Sequence, residues 1–485
     1  MRPSAAWRTL TTVGPAWRKE STVEVEEVDL LVIGGGKAGK SLAMDRARAG
    51  WDVVMVERDK IGGTCINVAC IPTKSLVESA RALLSARQAG DLGVAVVRRP
   101  EVDLDRLRAH KEGVVAGMVD AHTRMFADAG MDFVLGTARF VAPRTVEVTA
   151  RDGGRRTVRA RDVVVNTGTA PALPDLPGIT EAGVLTSESI LRLARVPGSL
   201  LVLGGGYVGC EFAAMFTAFG TRVTLLQGGP QLLAREDPDV AADVARVLTD
   251  QGVDVRLGSR AEAVRRDGPE VVLTLADGTE VRGDDLLVAT GRVPVTDDLA
   301  ADAAGVRLDD RGFVVVDDHL RTSAEHVWAA GDVAGSPQFT HASWHDFRIL
   351  RANLTGGEAT TTGRLVPYTV FVTPELARVG LTETQARERG LDVAVARLPV
   401  AAIPRAKTVH DTVGTWKAVV DRATDRILGV ALLGLGSGEV VTAVQLAMLG
   451  GLTWPEVRDA VITHPTMGEG LNLLFDTLGW NGSEG

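Results

Sequence analysis

Cys65 and Cys70 stand five positions apart in Gly62-Gly-Thr-Cys-Ile-Asn-Val-Ala-Cys-Ile-Pro-Thr-Lys74. Two thiols can carry an electron pair as a disulfide if their Cα atoms come within about 7 Å. A regular helix separates residues at this spacing by about 7.5 Å of rise and about 140° of rotation. The pair therefore closes only where the helix is distorted, and Gly62 and Gly63 permit an unusual entry. A Cys70 near a helix start has its thiolate favoured by the helix dipole and by a nearby cation. Three cysteines in 485 residues are too few for a disulfide scaffold. Four ligands at a suitable spacing are missing, so no metal site is expected. Two-electron thiol chemistry is the reading, with Cys210 as a small buried residue.

Two glycine-rich turns accompany the pair. Gly34-Gly-Gly36-Lys37-Ala38-Gly39 follows the apolar run Asp29–Ile33 and opens a helix from about Ala38 to Ala49. The first glycine turns tightly, the second lets a pyrophosphate approach the backbone, and the third packs helix on strand. The helix N-terminus adds N–H donors and a positive dipole end. Glu57 ends the next strand, 18 residues after Gly39, where a carboxylate accepts from a ribose hydroxyl. Gly204-Gly-Gly206-Tyr207-Val208-Gly209 repeats the pattern about 170 residues later. Its second strand ends at Gln227, which can bond a ribose hydroxyl without repelling a 2′-phosphate. No arginine follows at once, Arg235 being the nearest, so NADH and NADPH both stay open. Val163–Asn166 and Leu286–Ala289 are matching strands that end in Thr167-Gly168 and Thr290-Gly291.

These elements define the expected organisation. It is an α/β chain with two Rossmann-like three-layer domains and a C-terminal α+β domain. The boundaries are a disordered extension over 1–26, a first nucleotide-binding part over 27–172, a second nucleotide-binding domain over 173–285, a return to the first over 286–365, and a terminal domain over 366–485. Long helices are expected over Thr73–Ala89 and Leu104–Ala129, and short strands at Phe133–Leu135, Ala138–Phe140 and Thr145–Val148. The net charge of −9 and pI near 5.5 argue against nucleic acid or an anionic membrane as partner. No apolar run reaches bilayer-spanning length, and residues 1–24 lack the apolar core of a secretory signal. A cytoplasmic location is expected.

The segment G-G-T-C-x-N-x-x-C-I-P-T-K, placed after the first Rossmann unit, resembles the flavoprotein disulfide reductases: glutathione, mycothione and mercuric reductases and lipoamide dehydrogenase. The likeness runs from about Val28 to Phe475. Thr322-Ser-Ala-Glu-His-Val-Trp-Ala-Ala-Gly331-Asp332 resembles that family's second FAD motif, and His464-Pro-Thr-Met-Gly-Glu469 its C-terminal His–Glu motif. The resemblance implies FAD on Gly34, Gly36, Lys37, Ala38, Gly39, Glu57 and Arg58 of the first unit. It adds Gly63, Thr64 and Lys74 of the cysteine segment, and Thr167, Gly168, Arg292, Gly331 and Asp332. It implies NADH or NADPH on Gly204, Gly206, Tyr207, Val208, Gly209, Gln227 and Gly291, with Tyr207 as an aromatic gate over the flavin. Cys70 becomes the flavin-facing thiolate, Cys65 the thiol that attacks substrate, and Lys74–Glu211 an ion pair beside flavin N5. His464 becomes the acid–base partner, oriented by Glu469 and acting on the other subunit of a homodimer.

Departures narrow the choice. The chain ends without the extra cysteine pair of mercuric reductases, and Gln227 replaces the carboxylate usual in lipoamide dehydrogenases. Gly36-Lys-Ala-Gly-Lys40, Phe371–Gly380 and Leu398–Ala406 are most similar to the reactive-chlorine-resistance flavoproteins, also described as hypothiocyanous acid reductases. That implies a small oxidised-sulfur or hypohalous substrate. His341 and His345, four apart, are read as a polar helix face. The alternatives are reduction of a low-molecular-weight disulfide such as mycothione or glutathione, a mercuric-reductase-like metal reduction, or a flavin redox sensor whose cysteines do not turn over.

Overall fold

The computed structural model describes residues 25–192 and 194–479. Residues 1–24, most of the extension expected over 1–26, lie outside the described residues; the first strand begins at Val25. The chain divides into two compact units. One comprises 25–73, 109–171 and 292–364, and the other 74–108, 172–291 and 365–479.

The first unit is built on parallel strands in the order Asp132–Ala142, Val53–Glu57, Val25–Ile33, Arg155–Val165 and Val327–Ala329. Leu30, Leu31, Val32 and Ile33 are all buried, as a strand covered on both faces requires. Val25–Ile33 lies between Val53–Glu57 and Arg155–Val165, so its carboxyl end opens at a switch point. The helix Lys37–Arg48 starts there. The strands expected separately at Phe133–Leu135 and Ala138–Phe140 are one strand, Asp132–Ala142. Its first half is parallel to Val53–Glu57, and its second half pairs antiparallel with Thr145–Ala150. A single strand serving two partners has no break for a sequence pattern to reveal. The helix expected from Thr73 instead begins at Cys70, after a separate short helix Gly63–Asn67.

The second unit repeats the plan. Parallel strands run in the order Asp254–Arg256, Arg222–Leu226, Ser199–Leu203, Asp285–Val288 and Leu185–Thr186. The helix Tyr207–Phe219 follows the second glycine turn. The duplication extends to single bonds. Gly34 N–H donates to Val56 O at 2.8 Å and Gly204 N–H to Leu226 O at 2.9 Å. The C-terminal part of this unit is an antiparallel sheet, Tyr368–Val370, Leu376–Gly380, Ile427–Leu433, Thr415–Asp421 and Val393–Pro399. The helix Gly470–Gly479 packs on it, and Trp416 and Phe475 are fully buried. A Cβ on Gly470 would lie 2.7 Å from the Trp416 ring, so glycine sets that approach.

A buried lysine ties elements of this unit together. Lys417 Nζ lies 3.0 Å from Asp237, 2.9 Å from Asp239 and 3.0 Å from Glu383. Burial alone would raise the Asp237 carboxyl. Hydrogen bonds from the Thr384 amide and hydroxyl, from Lys417 and from the Glu383 amide outweigh it and hold the group near 2. A depressed carboxyl stabilises the fold above its unfolded value of 3.8, and that contribution disappears as pH falls through about 2. Replacing Lys417 with Met takes the cation from buried Asp237, while Arg397 still pairs with Asp239 and Glu383, and is expected to cost about 3–5 kcal/mol at neutral pH. Thermal unfolding across pH should show the gap between wild type and Lys417→Met narrowing as the acids protonate; a gap independent of pH contradicts the ionic origin.

Candidate active site

The backbone between the two cysteines resolves the spacing problem. Gly62 adopts a left-handed conformation (φ 94°) and caps the five-residue helix Gly63–Asn67, which carries Cys65. The helix stops at Val68, whose φ is −143°, and a new helix starts at Cys70. Asn67 Nδ2 donates to Ile61 O and Gly63 O, both at 2.9 Å, and so holds the short helix against its entry loop. The break replaces the rotation of a continuous helix and brings the two thiols into hydrogen-bond contact. Both are half-buried. The hydrogen bond to Cys70 pushes the Cys65 thiol upward, burial and the Cys70 charge add to this, and Thr340 and Lys40 oppose it. Cys70 Sγ lies 3.4 Å from Thr340 Oγ1, the first residue of the helix Thr340–Asn353. Cys70 itself opens a 19-residue helix, where partial positive charge accumulates.

The first glycine turn is fixed by Asn166. Its side chain accepts from Gly39 N–H at 2.9 Å and donates to Ala330 O at 2.6 Å, while its own amide donates to Ile33 O at 2.7 Å. A Cβ on Gly36 would lie 2.6 Å from Asn166 Oδ1, and one on Gly34 would collide with Asn166 O. Ala38 N–H is taken by Ser343 Oγ at 3.1 Å. That leaves the amides of Gly36 and Lys37 at the mouth of the turn, where the N-cap residue Gly36 has no side chain of its own to offer. Glu57 accepts from Gly35 N–H at 2.8 Å with one oxygen and from Asp59 N–H at 2.8 Å with the other. Lys37 Nζ lies over the Trp344 ring, 4.2 Å from its centroid. Arg58 is exposed, as is Thr64. Gly63 is buried, and a Cβ there would meet Gly35 O at 3.0 Å.

The second motif lies in the same unit. Burial raises the Asp332 carboxyl, against a 2.9 Å hydrogen bond from Thr169 and the charge of Arg292. Arg292 Nε donates to Thr169 Oγ1 at 2.8 Å. Gly331 N–H donates to fully buried Asp346, which pairs with Arg364 at 2.5 Å. Among the described residues Thr167 Oγ1 is buried with no hydrogen-bond partner, and Gly168 holds a φ of 72°. A helix start whose first amides face the turn, a crowded glycine cradle, a buried Thr167 hydroxyl and the Asp332 carboxyl fit the pyrophosphate, ribose and ribityl groups of FAD.

In the second unit, Gln227 Oε1 accepts from Gly205 N–H at 2.9 Å, repeating the Glu57 bond. Gly206 is open, since a Cβ there meets nothing within 4 Å, and a Cβ on Gly209 would collide with Gly204 O. Val208 and Gly291 are exposed. The helix at Tyr207 is uncapped, as a nucleotide phosphate requires. The Tyr207 ring packs 5.2 Å from that of Tyr368. Tyr368 OH donates to buried Glu236 at 2.5 Å, and Arg378 donates to Tyr368 OH at 3.0 Å. Burial raises both Glu236 and Tyr207. Lys74 pairs with Glu211 at 2.5 Å, and Glu211 also accepts from Phe371 N–H at 2.9 Å. His464 Nδ1 lies 2.7 Å from Glu469 Oε2, with the imidazole 68% exposed. Cys210 is fully buried. His341 stacks on Phe339, and His345 Nδ1 is buried without a hydrogen-bond partner among the described residues.

Asn166, Ser343, Thr340, Asp346 and the Tyr368–Glu236–Arg378 cluster were not among the expected site residues. Asn166, Ser343, Thr340 and Tyr368 each reach a motif from more than a hundred residues away, so no local spacing marks them. Asn166 alone had a signal, since it ends the strand that precedes Thr167-Gly168.

Two nucleotide-binding units, a dithiol at a helix start and a terminal α+β domain define a nucleotide-dependent dithiol oxidoreductase. Residues 28–346 match the pyridine nucleotide-disulphide oxidoreductase model, and 366–474 match the dimerisation domain of the same group. The chain belongs to the pyridine nucleotide-disulphide oxidoreductase family, which is FAD-dependent and uses a pyridine nucleotide. It is 42% identical over 450 residues to the probable pyridine nucleotide-disulfide oxidoreductase RclA of Escherichia coli, covering 92% of this chain and 98% of that protein. It is 37% identical to a mercuric reductase of Streptomyces lividans, over 93% of this chain and 96% of that one. Among solved structures, the Cu(II) complex of the HOCl-induced flavoprotein disulfide reductase RclA from Escherichia coli superposes with a TM-score of 0.86. The two are 41% identical, over 93% of this chain and 99% of that chain. The expected reductase resemblance and mixed α/β fold are both borne out. Among the described residues no helix is long and apolar enough to cross a membrane.

Asn166→Ala strands the buried Gly39 amide and Ala330 carbonyl, each at about 1–3 kcal/mol. The variant is expected to unfold at lower temperature and to lose flavin on gel filtration. Unchanged 450-nm absorbance per chain contradicts the assigned cradle.

Proposed function

We propose that this chain is an NAD(P)H-dependent FAD enzyme that uses a Cys65–Cys70 disulfide to reduce a small oxidised-sulfur or hypohalous oxidant. The observation that carries the reading is the contact between two half-buried thiols at a helix break. The likeness to an HOCl-induced relative supports the class of oxidant.

The thiol steps balance without further reagents. The Cys65 thiolate attacks the electrophilic sulfur of hypothiocyanous acid, displacing hydroxide and forming a mixed Cys65 adduct. The Cys70 thiolate then attacks Cys65 sulfur, expels thiocyanate and closes the disulfide. Bound FAD supplies the two-electron transfer from nicotinamide that returns the disulfide to two thiols. His464, held at Nδ1 by Glu469, takes the proton from Cys65 and gives one to the departing group. We assign it to the thiols of the partner protomer; its exposure in the single chain supports this. Leu446 and Leu449 are 62% and 61% exposed on one helix, and Val461 is fully exposed, which supports a homodimer closed through this domain.

FAD is assigned to the first glycine turn, the Gly63–Thr64 segment and the Gly331–Asp332 motif. NADH or NADPH is assigned to the second turn, where Gln227 carries no charge against a 2′-phosphate. Gln227→Glu is expected to lower kcat/KM for NADPH at least about tenfold and to spare NADH. The proposed location is the cytoplasm, where a working dithiol is kept reducible.

Steady-state oxidation of NADH and NADPH with hypothiocyanite, mycothione, glutathione disulfide and Hg(II) tests the substrate. Rapid turnover of hypothiocyanite, abolished in Cys65→Ser, is expected. Turnover of a bulky disulfide or Hg(II) alone moves the protein to the second reading, and oxidant-driven turnover that survives Cys65→Ser points to a flavin sensor. Leu449→Asp is expected to give monomers that keep FAD but lose most activity, measured by sedimentation and turnover together.

A further inference from the structure

Lys40 is a buried lysine that nucleotide binding does not explain. It follows the third glycine of the first turn and is only 3% exposed. The second unit provides an internal comparison. Lys40 N–H donates to Gly36 O and Cys210 N–H to Gly206 O, both at 3.0 Å, so the two residues occupy the same place in the repeated motif. Cys210 fills that place as a small neutral group whose thiol donates to Gly205 O at 3.6 Å. The packing position therefore has no need of an ammonium, and burying one is costly unless something compensates it.

What Lys40 reaches is the cysteine segment. Its Nζ donates to Gly62 O at 2.9 Å. Gly62 caps the short helix carrying Cys65 in a left-handed conformation, and a Cβ there would press on Ile66 at 2.8 Å. The other charged or titratable groups facing Lys40 are Lys37 and Glu57, with His122 from the helix Leu104–Ala129 and Cys65 itself. Glu57 spends its oxygens on the amides of Gly35, Asp59 and Lys60. Burial, then Lys37, lowers Lys40 to about 8, while Cys65 and Glu57 favour its charged form. Around Cys65, the hydrogen bond to Cys70 and burial disfavour the thiolate, and the counterweights are Thr340 and Lys40.

We propose that Lys40 is a positioning residue for Cys65: its buried ammonium fixes the Gly62 carbonyl that sets the short helix and keeps positive charge beside the Cys65 sulfur. The proposal deepens the reading of Cys65 as the attacking thiol and rests on it. It gives the first unit a lysine where the second, which carries no dithiol, has a cysteine.

The test is alkylation of reduced holoenzyme with iodoacetamide across pH, with Cys65 read by peptide mass and flavin content measured alongside. In Lys40→Met the apparent Cys65 pKa is expected to rise by at least about one unit, and alkylation at pH 7 to slow about tenfold or more. Lys40→Arg, which keeps the charge, should restore the wild-type profile to within about threefold. A wild-type profile in Lys40→Met overturns the proposal, as does equal slowing in Met and Arg variants. If Lys40→Met fails to hold flavin, Lys40→Gln keeps a donor for Gly62 and isolates the charge; the same rise supports the proposal and an unchanged profile overturns it. Oxidant turnover that survives Cys65→Ser defeats the functional reading instead, and does so without altering this alkylation comparison.

Discussion

The contact between Cys65 and Cys70 sulfurs is the constraint on which the remaining features converge. Residues five apart in a continuous helix face different directions. Here the helix is interrupted at Val68, and a new one starts at Cys70. Gly62, Asn67, Thr340 and Lys40 each touch or hold part of that interrupted segment. Cys70 then lies at a helix N-terminus, where a thiolate is favoured, while Cys65 sits on the short helix that the loop can steer.

The duplicated nucleotide-binding units show what the fold requires and what the chemistry adds. Both units share the glycine turn, the strand-to-turn hydrogen bond and the side chain that accepts from the second glycine. They differ where the chemistry differs. The first has Asn166 bracing the turn and a carboxylate at Glu57, whereas the second has Ala289 and an uncharged Gln227. The first unit's turn is crowded by Asn166 at Gly36, and the second unit's turn is open at Gly206. These differences support the proposed assignment of FAD to the first turn and of the nicotinamide nucleotide to the second.

Much of this was legible in the sequence because the informative signals are local. The glycine spacings marked both turns, and the apolar runs Asp29–Ile33 and Ser199–Leu203 marked the strands that feed them. The helix Leu104–Ala129 was expected at the bounds it has. The cysteine segment required a distortion, and spacing alone implied one. What spacing does not carry is distance across the fold. Thr340 lies 270 residues from Cys70, and Tyr368 lies 132 from Glu236. The second helix starts at Cys70, ahead of the expected Thr73, since proline is well accommodated in a first helical turn. The helix Thr340–Asn353 carries the polar face read at His341 and His345, whereas the strand Ile427–Leu433 and the helices Pro238–Asp250 and Gly470–Gly479 lie outside the sequence expectations. Pro238–Asp250 does carry a helical pattern, with Val240, Val244, Val247 and Leu248 buried along one face and a proline in its first turn.

In the proposed cycle an electron pair from the nicotinamide nucleotide comes to rest on these two sulfurs. Anaerobic addition of one equivalent of NADH or NADPH to oxidised holoenzyme, followed by alkylation and peptide mapping, tests it directly. New label is expected on both Cys65 and Cys70, with Cys210 unchanged and a long-wavelength absorption appearing. Bleaching of the flavin with Cys65 and Cys70 no more reactive than before would contradict it.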